Sequence, residues 1–216
     1  MLRSYKLFLG EFLGTCFLVT SIVGSGIMAS NLTSDKAITL LINAISTVFA
    51  LVVLINLFSN LTGSHFNPVV TVNAFIQKDL NLRETLLYIS AQIMGAFCGS
   101  ILANIMYSTS AFQISGNNRA ELGTFIGEFV ATLGLLVIVK FRSSQAASLV
   151  PLWIGSAYFF TSSTSFANPA VTFGRIFSDS FSGISPKSAF LFALVQIYTL
   201  FLLTISTTFW RRLDDK

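Results

Sequence analysis

Six long apolar runs constrain the fold of this chain more than any other feature. A bilayer core about 30 Å thick requires about 20 predominantly apolar residues from each helix that crosses it. A helix satisfies its own backbone hydrogen-bonding groups in lipid, which an isolated strand does not. The sequence therefore predicts an all-α membrane protein with six transmembrane helices, at about residues 7–29, 38–61, 86–107, 122–141, 148–163 and 188–209.

The composition agrees with a membrane location and excludes several other classes. Apolar residues make up 53% of the chain and charged residues 10%, whereas roughly a quarter of the residues in soluble domains are charged. The net charge of +4 is spread between the apolar runs, so no basic stripe suggests a nucleic-acid partner. Two cysteines inside apolar runs and one histidine predict no disulfide framework, metal site, cofactor or enzymatic centre.

The distribution of cations predicts the orientation of the spans. Lys and Arg near span ends accumulate on the cytoplasmic side of a membrane. With the N-terminus inside and six spans, nine of the 13 cations are cytoplasmic and four are external. The sequence thus predicts that both termini are cytoplasmic. The cytoplasmic set is Arg3, Lys6, Lys78, Arg83, Lys140, Arg142, Arg211, Arg212 and Lys216, and the external set is Lys36, Arg119, Arg175 and Lys187.

The second half of the chain repeats the first. Each half holds three predicted spans, so the second repeat must lie inverted in the membrane, with functional sites expected near the midplane. We predict a single domain over residues 1–216, with repeat 1 at about 1–108 and repeat 2 at about 119–216. The matching segments are 11–15 with 128–132, 66–71 with 167–172, and Gln92 with Gln196.

An Asn-Pro pair follows spans two and five, at Asn67-Pro68 and Asn168-Pro169. Asn is a strong N-cap and Pro is favoured at the first helical position, so each pair predicts a helix start. About ten mostly apolar residues follow each pair, too few to cross a bilayer. We therefore expect two half-helices that enter from opposite faces, with the extended segments before them lining a water-filled lumen.

Paired Asn-Pro-Ala boxes in inverted halves resemble the signature of the aquaporin (major intrinsic protein) family, and the resemblance covers essentially the whole chain. It implies a right-handed bundle of six transmembrane helices plus two re-entrant half-helices, a homotetramer, and a bacterial inner (plasma) membrane location. It also implies that the side-chain amides of Asn67 and Asn168 donate to passing solutes. The boxes are Asn67, Pro68 and Val69, and Asn168, Pro169 and Ala170. Val69 replaces the usual Ala and is expected to shift the constriction slightly.

The same resemblance implies a selectivity filter of four residues. The family's spacings place it at Thr47, Ser156, Ser165 and Val171. Most members have an arginine where Val171 stands, and typical glycerol facilitators have an Asp where Thr172 stands. The set resembles an atypical bacterial branch associated with arsenite. We expect a wide filter that passes uncharged solutes larger than water, because pore diameter and lining donors set selectivity.

Arg175 lies four residues after Val171, on nearly the same helix face. One hypothesis is that it reaches the external vestibule, attracts anions and discourages cations. The alternative is an interfacial arginine that snorkels to headgroups or pairs with Asp179.

Glu11, Glu128 and His65 are ionisable residues inside the predicted membrane region, where such groups are functional candidates. The two carboxylates suit the support of the half-helix loops, and His65 suits a pore-wall residue or a pH gate. The leading hypothesis is a passive channel for water and small neutral solutes such as glycerol, urea or arsenite, which excludes ions and protons. The alternatives are a secondary transporter coupled through these three residues and a non-conducting scaffold.

Overall fold

A computed structural model describes residues 2–214 of the chain, and the side chains of residues 2–208. Arg211, Arg212 and Lys216 of the predicted cytoplasmic set lie outside the described side chains. Eight α-helices occur in the described part. Their bounds are α1 Leu2–Leu32, α2 Lys36–Thr62, α3 Pro68–Ile76, α4 Leu82–Met106, α5 Leu122–Phe141, α6 Ala146–Phe160, α7 Pro169–Gly174 and α8 Pro186–Asp214.

Six of these helices correspond to the six predicted spans, and α3 and α7 are the two half-helices. By length and apolar composition, five described helices are able to cross a membrane, namely α1, α2, α4, α5 and α8. The sixth, α6, has 15 residues, which is about 22 Å of helix. The predicted span ended at Ser163, but the backbone becomes extended at Thr161. The all-α fold class of six spans and two re-entrant half-helices in an inverted repeat is confirmed.

Glycines allow α1 and α4 to pack backbone against backbone. A Cβ atom added at Gly95 would lie 2.4 Å from the carbonyl oxygen of Phe12, and one at Gly99 would lie 2.4 Å from that of Cys16. Neither position tolerates a side chain without a backbone shift. Small residues serve this purpose in membranes, where close van der Waals packing drives helix association. The close pair supports α3 and α7, which both pack on α4.

The half-helices begin where the sequence predicts. Asn67 and Asn168 are extended N-caps whose side chains accept from the first backbone N–H groups of α3 and α7, with Pro68 and Pro169 at the first helical positions. The α3 helix has nine residues. The α7 helix has six and continues as a 3₁₀ turn over Arg175–Phe177.

Candidate functional site

A cavity of about 490 Å³ runs along the two half-helices. Its lining on α2 reaches from Thr47 to Ser59, which is about 18 Å of helix. Gln77 and Asp79 line the end beyond α3, which we call the α3 end, and Arg175 lines the other, the α7 end. The apolar wall comes from α1, α2, α5 and α6 and consists of Leu18, Ile22, Leu51, Ile55, Leu135, Val139, Val150 and Ile154.

Asn67 and Asn168 bind each other's loops at the point where the half-helices meet. The Asn67 Nδ2 donates to the carbonyl of Ala167 at 2.8 Å, and the Asn168 Nδ2 donates to the carbonyl of Phe66 at 2.7 Å. A carboxamide carries two N–H donors, so each Asn retains one that no described residue uses. Both residues border the cavity.

The two segments before the half-helices border the cavity and leave several backbone carbonyls without a donor among the described residues. Ser64 and Phe66 have φ of 54° and 47°, and Ser165 and Ala167 have φ of 53° and 45°. This left-handed backbone breaks any regular hydrogen-bond pattern. Among the described residues, no donor binds the carbonyls of Gly63, Ser64, His65 or Ser165, which all border the cavity. These oxygens are therefore available to a solute.

Glu11 holds the first of these segments in place. Its Oε1 accepts from the hydroxyl of Thr62 at 2.7 Å and from the backbone N–H of His65 at 3.1 Å. Its Oε2 accepts from the N–H of Phe66 and from Gln92 Nε2, both at 2.7 Å. Four donors thus converge on one buried carboxylate.

Glu128 does the same for the second segment. It accepts from the N–H groups of Phe166 at 2.8 Å and Ala167 at 2.9 Å. The amide of Gln196 also donates to it, at 2.6 Å. Glu11 and Glu128 are both 0% exposed, and neither lines the cavity. The geometry is that of loop support, with neither carboxylate in direct contact with the lumen.

His65 lies in the wall of the cavity. Its Nδ1 is 3.2 Å from the hydroxyl of Thr71, and its ring packs against Tyr88 with centroids 5.2 Å apart. The same Thr71 hydroxyl accepts from Gln92 at 2.9 Å. His65 is thereby tied to the network around Glu11.

Three of the four predicted filter residues border the cavity, namely Thr47, Ser165 and Val171. The prediction for Ser156 is wrong, because its side chain is exposed on the far face of α6. The position is taken by Tyr158, which is 2% exposed and whose hydroxyl lies 3.0 Å from that of Thr47. A large aromatic residue, and not the predicted serine, is therefore what α6 contributes to the cavity wall beside Thr47.

A helical periodicity in α6 identifies Tyr158. Val150, Ile154 and Tyr158 all border the cavity, and residues four apart share a helix face. Ser156 is two positions from Ile154 and so lies on nearly the opposite side. The family's fixed spacing from Asn168 missed this because it ignores which face of α6 is turned inward.

Val69 is also placed differently from the prediction. It is 1% exposed and packs with Leu136, Leu200 and Leu203, in a cluster between α3, α5 and α8. It does not line the cavity. The extra methyl groups therefore fill the helix packing and do not shift the constriction.

Arg175 is not an interfacial arginine, so that hypothesis is wrong. It is 2% exposed and lines the cavity. Its Nε donates to the carbonyl of Ser182, and its guanidinium carbon lies 3.5 Å from the centroid of the Phe166 ring. Asp179 instead accepts from the backbone N–H of Gly116, in the loop between α4 and α5.

A membrane-embedded cavity walled by two half-helices, with apolar side chains on one side and free carbonyls on the other, defines a channel. Comparison with known proteins gives the family. The family model described as "Major intrinsic protein" matches residues 1–167. The chain belongs to this family of passive channels for water and small solutes, which are not enzymes.

Individual relatives agree with this assignment. The chain is 40% identical over 191 residues to "Aquaglyceroporin AqpS" of Rhizobium meliloti (strain 1021), covering 87% of this chain and 82% of that one. It is 31% identical over 183 residues to "Probable aquaporin TIP-type" of Medicago truncatula, covering 77% and 72%. The solved aquaglyceroporin from Plasmodium falciparum has the same fold, with a TM-score of 0.64, 23% identity and 91% of each chain covered.

Proposed function

We propose that this channel passes uncharged solutes larger than water, such as glycerol, urea and neutral arsenite, and excludes ions and protons. The observation that carries the proposal is Val171, a short apolar side chain on the cavity wall three residues after Asn168. Pore diameter and lining groups set selectivity in such channels, and valine leaves more room than a long side chain.

The two walls of the cavity suit a solute with one apolar and one polar side. The carbonyls of the extended segments replace water around hydroxyl or amide groups as the solute advances. The apolar wall of α1, α2, α5 and α6 contacts the apolar side of the solute, so no polar group of the solute loses its hydrogen bonds there. The relative from Rhizobium meliloti is named an aquaglyceroporin, which favours the same solute class for this chain.

The two half-helices support exclusion of cations at the midplane. Each helix N-terminus carries about half a positive charge, and those of α3 and α7 meet at Asn67 and Asn168. The free N–H of each Asn orients a passing oxygen as an acceptor, which interrupts a file of water that would conduct protons.

Stopped-flow light scattering on proteoliposomes tests the proposal with water, glycerol, urea and arsenite. We expect flux of all four, driven by the solute gradient and unchanged by an imposed pH gradient. Flux of water alone would overturn the wide-filter assignment. Solute uptake that follows the pH gradient would favour the coupled transporter, and no flux at all would favour a scaffold.

The proposal also covers orientation and assembly. We place both termini in the cytoplasm of a bacterium, with the chain in the inner membrane, because nine of 13 cations then lie inside. The α7 end of the cavity then faces outward. We also propose a homotetramer, which chemical cross-linking in native membranes would test.

A further inference from the structure

Arg175 is a buried cation in the wall of the cavity without an anionic partner. It is 2% exposed, and no described carboxylate lies within ion-pair distance of it. Its Nε is used by the carbonyl of Ser182. Its two Nη atoms have no hydrogen-bond partner among the described residues.

Such an arrangement is costly unless something compensates for it. Burying a charge without a partner is strongly unfavourable, and charged side chains inside membranes line functional paths as a rule. The Phe166 ring offsets part of the cost, because a guanidinium 3.5 Å from its centroid has a favourable cation–π contact. The Ser182 carbonyl and the more distant Glu128 carboxylate and Tyr158 hydroxyl offset more of it, and the lumen that Arg175 borders offers further solvation.

A second cation lies close to the first and contacts the same ring. Arg119, in the loop between α4 and α5, lies 5.4 Å from the centroid of the same Phe166 ring. It donates to the carbonyls of Gly183 and Phe181 at 3.1 and 3.0 Å. These bonds fix that loop over the Arg175 segment, so Arg119 adds a positive charge behind the Phe166 ring, whereas Arg175 is the cation that borders the cavity.

Val171 keeps the neighbouring position of the wall free of charge. It lies one helical turn before Arg175, and both residues border the cavity. A second cation at position 171 would repel the Arg175 guanidinium.

We infer that Arg175 is the charged selectivity residue of this pore. It repels cations entering at the α7 end, and its two Nη atoms donate to solutes that carry acceptor oxygens, such as the carbonyl of urea. This inference rests on the proposed function, since it concerns the same pore. The structure thus assigns cation exclusion to a residue one turn beyond the filter position, while position 171 itself stays small.

Ion flux through reconstituted channels tests the inference separately from solute flux. We expect Arg175→Met to raise the K⁺ leak about tenfold or more. A fixed positive charge in a poorly screened pore raises the energy barrier for an entering cation enough to slow it by at least that factor. Arg175→Lys should keep the leak near the wild-type value. The matched control is Lys187→Met, which removes an exposed cation close to the same loop. Water flux verifies that each variant is folded.

An unchanged K⁺ leak in a water-permeable Arg175→Met channel would overturn the inference, as would an equal rise in Arg175→Lys. If the variants fail to assemble, the ion selectivity of the residual leak through the wild-type channel, measured under a KCl gradient, tests the inference instead. We expect it to favour Cl⁻, and a leak that favours K⁺ would contradict the inference. Wild-type flux of glycerol and urea tests the proposed function alone, so the two failures are distinguishable.

Discussion

The hydroxyl oxygens of Thr47 and Tyr158 lie 3.0 Å apart and join α2 to α6 at the cavity wall. Thr47 also donates its single hydroxyl hydrogen to the carbonyl of Asn43, at 2.8 Å. Tyr158 must therefore be the donor to Thr47. The pair occupies the part of the cavity wall for which the sequence predicted Ser156.

Tyr158→Ala should widen the channel, because it removes a large ring from the wall at that level. We expect the ratio of glycerol to water permeability to rise several-fold in stopped-flow measurements. Ser156→Ala is the matched control on the same helix and should leave the ratio unchanged. A change in the Ser156 variant without one in the Tyr158 variant would restore the original assignment.

Glu128→Gln should destabilise the protein and reduce flux of every solute alike. Three N–H donors converge on the carboxylate, whereas glutamine offers one acceptor oxygen and adds a donor. We expect a loss of about 3 kcal/mol, the value of one or two bonds to a charged group, seen as a lower unfolding temperature in detergent. Gln145→Glu, the reverse exchange at an exposed position before α6, should change neither property. Normal stability with loss of a pH-gradient response would instead indicate coupled transport.

Asn168→Asp should open a leak for protons and cations. Aspartate caps a helix as well as asparagine does and suits the positive end of α7, but it loses the bond to the Phe66 carbonyl, so water permeability verifies that the variant is folded. The free Nδ2 donor is lost, and a negative charge lines the midplane. We expect proton entry into pyranine-loaded liposomes to rise about tenfold or more. Asn31→Asp, at the exposed end of α1, is the control, and equal leaks in the two variants would count against this role.

Gly99→Ala should destabilise the contact between α1 and α4. The added Cβ would lie 2.4 Å from the Cys16 carbonyl and 3.0 Å from Val19 Cβ, and backbone does not yield as a flexible side chain does. We expect a loss of about 2 kcal/mol, typical of overpacking, in thermal unfolding. Gly123→Ala, whose nearest atom is Ser162 Oγ at 3.7 Å, should have little effect. Equal stability of the two variants would show that the helices separate without cost.

The apolar pattern predicted the spans well because each long helix must match the bilayer. Its error was at the end of α6, where the chain leaves the helix at Thr161 although the residues up to Ser163 are mostly apolar or small. The apolar pattern identifies the helix, but it does not locate the C-terminal end of α6. That end depends on where the extended segment must begin in order to reach Asn168.

The site could be predicted where the repeat specifies it and not where it depends on tertiary packing. Asn67, Asn168, Glu11 and Glu128 occupy equivalent places in the two halves, so the pattern alone indicated their roles. The surroundings of Arg175 come from Phe166 and Ser182, which lie on either side of it in the chain, and from Arg119 in another loop. No spacing rule brings these together.

Val171→Arg tests the central claim, a wide filter for neutral solutes, most directly. The arginine side chain would occupy the space in the cavity beside position 171. Val171→Ala, which leaves that space empty, is the matched control. Stopped-flow scattering gives water, glycerol and urea permeabilities for both variants and the wild type. We predict that arginine lowers glycerol and urea permeability far more than water permeability, and that alanine does not. An equal fall for all three solutes with arginine, or no change in any, would contradict the account.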